Sequence, residues 1–200
     1  MNLLRKLFGN KSKSEIKIQN SDQSSYFPNE KAPTDEKFTY NFNKNGGKFL
    51  YCLNMDEILE AFQSILDENE IKESDVYCIN EKLAPRFNDA KFNLKKPKDN
   101  SFFLTTCESL IAKDGSILLS SNQIKEKKLN ELPTRFIIFA TTSQLVDTIS
   151  EGLRKIKNQS KSLIPSNITT IRDFETEKEK DFMSYGSSTK NLYLLLLEDL

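Results

Sequence analysis

Arg135-Phe136-Ile137-Ile138-Phe139-Ala140, followed by Thr141-Thr142-Ser143, decides how the rest of the chain is read. A run this continuously apolar, with no polar residue alternating through it, has no face to offer to water. It therefore predicts a strand covered on both sides and central in its sheet. Pro133 bounds the run upstream and the three hydroxyl residues bound it downstream. Beyond them Leu145, Val146, Ile149, Leu153 and Ile156 recur at helical spacing, which predicts an amphipathic helix from about 143 to 157. Asp147 near its start and Arg154, Lys155 and Lys157 near its end suit the helix dipole. A doubly buried strand feeding a helix is the building unit of an α/β fold.

Working outward, the same alternation repeats. Upstream, Asn45-Gly46-Gly47 reads as a turn before a strand over 48–53. A helix follows, with Asn54 as its cap, Glu57 at its third position, and Ile58, Leu59, Phe62, Ile65 and Leu66 on one face. Residues 75–79 give a second strand, and the βαβ-like order predicts that the two are parallel. A short helix interrupted by Pro85 is expected over 81–87 and a strand over 102–106. Residues 109–121 read as two strands joined at Asp114-Gly115, the dipeptide of two-residue hairpins in which both central residues need positive φ. Downstream, 168–174 and 191–198 are further strands, separated by a charged surface loop that runs through Asp181. The expected architecture is α/β, a mixed, mostly parallel sheet flanked by helices, over residues 38–200. Residues 1–37 are polar and aperiodic after Phe8 and read as a flexible arm. Leu3, Leu4, Leu7 and Phe8 lie at helical spacing, the pattern of a weak docking or membrane-surface helix, although a frayed terminus is the plainer reading.

Composition narrows the function classes. Lys+Arg and Asp+Glu both number 29, so there is no positive excess to collect phosphate backbones, and nucleic acid is not an expected partner. No apolar run approaches the roughly 20 residues of a transmembrane helix, and the first residues lack the apolar core of an export signal. A cytoplasmic protein is expected. Histidine is absent, which removes Ser-His and Cys-His nucleophile pairs and the common histidine metal sites. Cys52, Cys78 and Cys107 show no Cys-x-x-Cys pairing and read as reduced core residues, so no metal and no cofactor is expected. A chain so equipped is expected to act as a binding or accessory component rather than as an enzyme on its own.

Candidate sites follow from chemistry at strand ends. No Gly-rich phosphate loop is present. Hydroxyls gather at Ser120-Ser121-Asn122, at Thr141-Thr142-Ser143 and from Ser184 to Thr189. In parallel α/β sheets, ligands bind beyond the carboxyl ends of the strands. Thr141, Thr142 and Ser143 are the best placed of these groups, as hydroxyls before a helix start that suit a small anionic ligand or an ordinary cap. Glu108, between two strands, is a candidate carboxylate for acyl transfer, set against a simple hydrogen-bonded strand-end acid. Cys107 beside it would need exposure and a nearby cation to react. Lys91, Lys95, Lys96 and Lys98 form a basic cluster that reads as a solvated loop.

Taken in order, Cys107-Glu108-Ser109-Leu110-Ile111-Ala112-Lys113-Asp114-Gly115-Ser116-Ile117-Leu118-Leu119, then Leu132-Pro133, Phe136 to Ala140 and Leu145-Val146, resemble the LUD-domain family, especially lactate-utilisation protein C. The resemblance runs over roughly 48–200. It implies a fold of the sugar-isomerase and CoA-transferase-like group and a part in L-lactate oxidation beside iron–sulfur partner subunits. Family members carry a Gly-Pro-Ser-x-Thr-x-Asp-Ile-Glu stretch and a later His-Gly-Pro. This chain has Tyr185-Gly186-Ser187-Ser188-Thr189-Lys190-Asn191-Leu192-Tyr193 and no histidine. Ser187 and Thr189 match the hydroxyls of that loop and are carried as ligand-binding candidates. The resemblance leaves three readings open: an accessory lactate-utilisation component, a CoA-transferase-like enzyme using Glu108, or an interaction module whose ligand site has decayed.

Overall fold

The structure, a computed structural model, describes residues 32–88, 90–98, 101–160, 163–174 and 190–199. In chain order its elements are α1 (Thr34–Lys44), β1 (Lys48–Cys52), α2 (Met55–Glu68), β2 (Tyr77–Cys78), β3 (Phe102–Thr105), β4 (Ser109–Ile111), β5 (Ser116–Leu119), the single turn α3 (Ser121–Ile124), β6 (Arg135–Thr141), β7 (Leu145–Val146), α4 (Ile149–Gln159), β8 (Thr169–Ile171) and β9 (Asn191–Leu197). A five-stranded sheet in the order β1-β9-β6-β3-β2 is parallel throughout. A four-stranded sheet in the order β7-β4-β5-β8 pairs β4 with β5 and β5 with β8 antiparallel, and β4 with β7 parallel. The expected α/β class, a mostly parallel sheet flanked by helices, is the one observed. Among the described residues no helix is long and apolar enough to cross a membrane.

The layering follows from the alternation of side chains along the central strands. From β6 and β9, Phe136, Ile138, Ala140, Leu192, Leu194 and Leu196 enter one core. Ile137, Phe139, Tyr193 and Leu195 enter the other. The second core is closed by Ile58, Phe62, Ile65 and Leu66 of α2. As the periodicity requires, Asn54 caps that helix: its Oδ1 accepts from the Glu57 N–H at 2.9 Å, while Glu57 Oε2 accepts from the Leu53 N–H at 2.8 Å. The first core is closed by the smaller sheet, through Leu110, Ile117 and Leu119, together with Phe38 and Phe42 of α1. The far side of that smaller sheet packs Ile111, Leu118 and Val146 against Ile156 of α4. The result is helix, sheet, sheet, helix. It explains why β6 and β9 read as unbroken apolar runs: neither has a wet face.

Several local expectations need correction. The hairpin at 109–119 forms, but Ile111 pairs with Ser116, so its loop is Ala112 to Gly115 rather than a two-residue turn. Within that loop only Gly115 has positive φ, at +70°. The cause is tertiary. A Cβ on Gly115 would lie 2.4 Å from the Phe42 nitrogen, because α1 rests directly on the loop. Asn41 Nδ2 donates to the Ala112 carbonyl at 2.8 Å and Asn45 Nδ2 to the Asp114 carbonyl at 2.7 Å. Helix α1 itself begins at Thr34, inside the stretch read as an arm, and it crosses the expected boundary at 37 and 38. The second amphipathic helix starts at Ile149, capped by Thr148, instead of near Ser143. Leu145 and Val146, counted on its apolar face, form β7 and pair with Leu110 and Ile111. The second strand is shorter than 75–79 and covers only Tyr77 and Cys78. The charged stretch after Phe174 lies outside the described residues.

Candidate ligand site at the carboxyl edge of the sheet

Because all five strands of the larger sheet run the same way, their carboxyl ends form one edge: Cys52, Leu197, Thr141, Thr105 and Cys78. The two central strands place Thr141-Thr142-Ser143 and Glu198-Asp199 side by side there. The three hydroxyl residues do not precede an α-helix; they form a single 3-10 turn over Thr142–Gln144. Their donors converge on a carboxylate of the chain itself. Thr142 Oγ1 donates to Asp199 Oδ1 at 2.9 Å and the Ser143 N–H donates to the same oxygen at 2.8 Å. Ser143 Oγ donates to Asp199 Oδ2 at 2.7 Å. Thr141 Oγ1 lies 2.9 Å from Ser143 Oγ. With the Ser143 proton directed at Asp199, Thr141 is the donor of that contact. The Asp199 N–H closes the ring on Thr142 Oγ1 at 3.2 Å.

This nest is rigid on one side and open on the other. Thr142 is buried, whereas Ser143 and Asp199 are exposed. Gln144 locks the turn: its Oε1 accepts from the Thr141 N–H at 2.9 Å and its Nε2 donates to the Cys107 carbonyl at 2.6 Å. Lys155 of α4 brings a positive charge alongside, with Nζ 3.0 Å from the Ser143 carbonyl oxygen. Burial raises the Asp199 carboxyl, but the side-chain and backbone bonds of Ser143 and the hydroxyls of Thr141 and Thr142 outweigh it. The group is held ionised below its ordinary range.

Beside the nest, Glu108 follows β3 and Cys107. Its Oε1 accepts from Ser120 Oγ at 2.6 Å and from Asn122 Nδ2 at 2.9 Å, so two of the hydroxyl-cluster residues singled out in the sequence serve this carboxylate. The three cysteines all lie at or just beyond the carboxyl edge, and all are buried and free. Burial pushes the Cys52 thiol up to about 11, with Glu57 adding to the effect, and the Cys78 thiol also up to about 11 against a lowering bond to the Asn80 backbone. Burial, with Glu108 beside it, raises Cys107 further still. None is a thiolate near neutral pH, as their reading as core residues requires. In the basic loop Lys98 pairs with Asp75. Ser187 and Thr189, the remaining hydroxyl candidates, lie outside the described residues.

The opposite edge of the sheet holds a group that the sequence reading passed over. Lys190, immediately before β9, is only 2% exposed. Its Nζ donates to three backbone carbonyls, of Leu129 at 2.6 Å, Pro133 at 3.0 Å and Leu132 at 3.2 Å, and lies 5.1 Å from the centre of the Phe136 ring. Among the described residues no carboxylate is paired with it. Burial lowers its pKa to about 8. The Leu132-Pro133 dipeptide is thus part of a cage for an ammonium group. Asp199, Gln144, Lys155 and Lys190 were all missed from sequence. Two of them carry a retrospective signal, since Lys190 and Asp199 are charges placed just outside the apolar run 192–197.

No curated protein matches the chain. Among solved structures, a DUF162 family protein from Deinococcus radiodurans superposes with a TM-score of 0.58 at 14% sequence identity, over 83% of this chain and 96% of that one. At that identity the likeness speaks for the fold alone. The family model of the LUD domain matches residues 36–196, from the third residue of α1 to all but the last residue of β9. On the match of this model to most of its length, the chain belongs to the LUD domain family.

Proposed function

We propose that this protein is an accessory component of lactate utilisation, similar to the C-type subunit, that binds a small anionic ligand or an iron–sulfur partner and does not turn over substrate by itself. The observation that carries the reading is the hydroxyl nest at the carboxyl edge of the sheet. Three donors converge there on one carboxylate, with the Lys155 ammonium on the neighbouring Ser143 carbonyl, which is the recognition chemistry a small organic acid needs. Family membership supplies the lactate context. The composition supports the accessory role: hydride or electron transfer from a 2-hydroxy acid needs a base and a redox centre, and a chain without histidine and with three separated, buried thiols offers no clustered ligands for an iron–sulfur centre of its own. A cytoplasmic location fits this role.

The test is a steady-state assay of the purified full chain with L-lactate and an artificial electron acceptor. No turnover is expected from the chain alone, and turnover is expected to appear when an iron–sulfur oxidoreductase pair is added. Sustained lactate oxidation by the isolated chain, free of any such subunit, would overturn the reading.

A second reading, a CoA-transferase-like acyl transfer, is favoured by Glu108, whose carboxylate stands at the same edge with both of its bonds on one oxygen. Glu108→Gln removes the nucleophile while keeping the size of the side chain. Loss of acyl exchange from a CoA thioester in that variant would support this alternative; exchange that persists in Glu108→Gln would remove it.

A further inference from the structure

The Asp199 contact is more than a surface latch. It brings together an ionised carboxylate, three donors aimed at its two oxygens, and a turn already locked by Gln144 before Asp199 arrives. Left empty, such a nest would hand the exposed donors of Ser143 to water and take the acceptor from the Thr142 hydroxyl alone, a small cost. Exchanging one carboxylate for another strands nothing. Substitution by an incoming acid therefore costs only the difference between two chemically equivalent occupants, plus release of the Asp199 side chain. That release is easy on the solvent side, because Asp199 is exposed and, among the described residues, its carboxylate is bonded to the 141–143 turn alone. The exchange leaves β9 in place, since the strand is paired along its whole length with β6 and the next backbone anchor, Glu198 N–H to the Cys52 carbonyl at 2.9 Å, precedes the exchanged residue.

We infer that the Asp199 carboxylate is an internal stand-in for a small monocarboxylate ligand, which binds Thr142 and Ser143 in its place and so competes with the chain's own Asp199. This inference rests on the proposal that the carboxyl edge takes an anionic ligand, and it names the site, the ligand class and the competitor. Lys155, bonded to the Ser143 carbonyl, puts a positive charge on the same turn. A carboxylate fits the two-oxygen, three-donor arrangement. A spherical anion such as chloride cannot satisfy donors that address two separate oxygens.

The experiment is isothermal titration of the full chain with sodium L-lactate and, as the bare carboxylate, sodium acetate, at constant ionic strength, with sodium chloride as the control. If Asp199 occupies the nest at least nine-tenths of the time, Asp199→Ala should bind both acids about tenfold more tightly than the natural chain, since a competitor lowers apparent affinity by the fraction of free sites. Asp199→Asn, which keeps the shape and loses the charge, should fall between them. Adding Thr142→Val to Asp199→Ala should abolish the gain, with circular dichroism showing that the fold is retained. In the natural chain, saturating acetate should return the Asp199 carboxyl, followed by carbon NMR, toward its ordinary titration. Equal affinity in the natural chain and in Asp199→Ala, insensitive to Thr142→Val, would overturn this inference while leaving anion binding itself intact at another place. Absence of carboxylate binding in every folded variant would overturn both.

Discussion

Strand β9 is bracketed by two charges that meet opposite environments. At its amino end the Lys190 ammonium is enclosed by acceptors, three carbonyls and the face of Phe136. At its carboxyl end the Asp199 carboxylate is met by donors, two hydroxyls and an N–H. Both pKa values are lowered, yet the physical meaning is reversed. For Lys190 the lowering says that the charged form is penalised by burial; for Asp199 it says that the charged form is favoured by its bonds. The buried end is a closed structural clasp, whereas the exposed end leaves its carboxylate within reach of solvent, as the proposed exchange of anions requires. The difference teaches that hydrogen-bond geometry alone does not separate a fastening from a binding site. Solvent access does.

The largest effect that would test this contrast is expected from Lys190→Ala. Removing the ammonium leaves three carbonyls without their donor and a void under Phe136, and a loss of about 3 kcal/mol or more is expected in urea unfolding. A change near zero would mean that the cage is not closed. Next comes the pH dependence of the natural chain. The folded group titrates at about 8 and the unfolded one near 10.5, so between these values the unfolded chain holds a proton that the folded chain has released. Stability should therefore rise with pH across that window, by about 3 kcal/mol at most, and Lys190→Met should flatten the rise. A slope of opposite sign would mean that the ammonium is favoured in its cage.

Asp199→Ala, at the open end, should cost less than about 1 kcal/mol in the same unfolding experiment, as exposed charge contacts do. The sign of its pH effect is also fixed. A carboxyl held below its unfolded value of 3.8 contributes stability that is fully present above that value, and the contribution is lost as pH falls through the folded value beneath it. Natural chain and variant should thus draw together as unfolding is repeated at successively lower pH beneath 3.8. If Asp199→Ala proved as damaging as Lys190→Ala, the two ends would be alike and the contrast would fail.

Much of this architecture was legible from the residues. The central position of β6 and β9 followed from runs with no polar alternation, and α2 from its period and cap, because in both cases local pattern and tertiary burial demand the same thing. What was not legible depends on parts of the chain far apart in sequence. The hairpin tip takes its shape from α1, whose Phe38 and Phe42 are too few apolar residues to announce a helix among polar neighbours. Leu145 and Val146 fit a helical period as well as they fit the small sheet, and only pairing with Leu110 and Ile111 decides between them. Thr141, Thr142 and Ser143 stood out as hydroxyls at a strand end. Their partner could not be foreseen, because Asp199 arrives beside them only when β9 lies along β6.

The place of β9 also bears on how the chain assembles. It is the last described strand to leave the ribosome, yet it inserts between β1 and β6 and, among the described strands, is the only one that β1 pairs with. Until residues 191–197 emerge, β1 and β6 have no common neighbour, and joining β1 to β9 closes a loop that spans most of the domain. Closure of the larger sheet is therefore expected to wait on β9 and to be slow, with the unpaired flank of β6 open to chaperones or to another nascent chain in the interval.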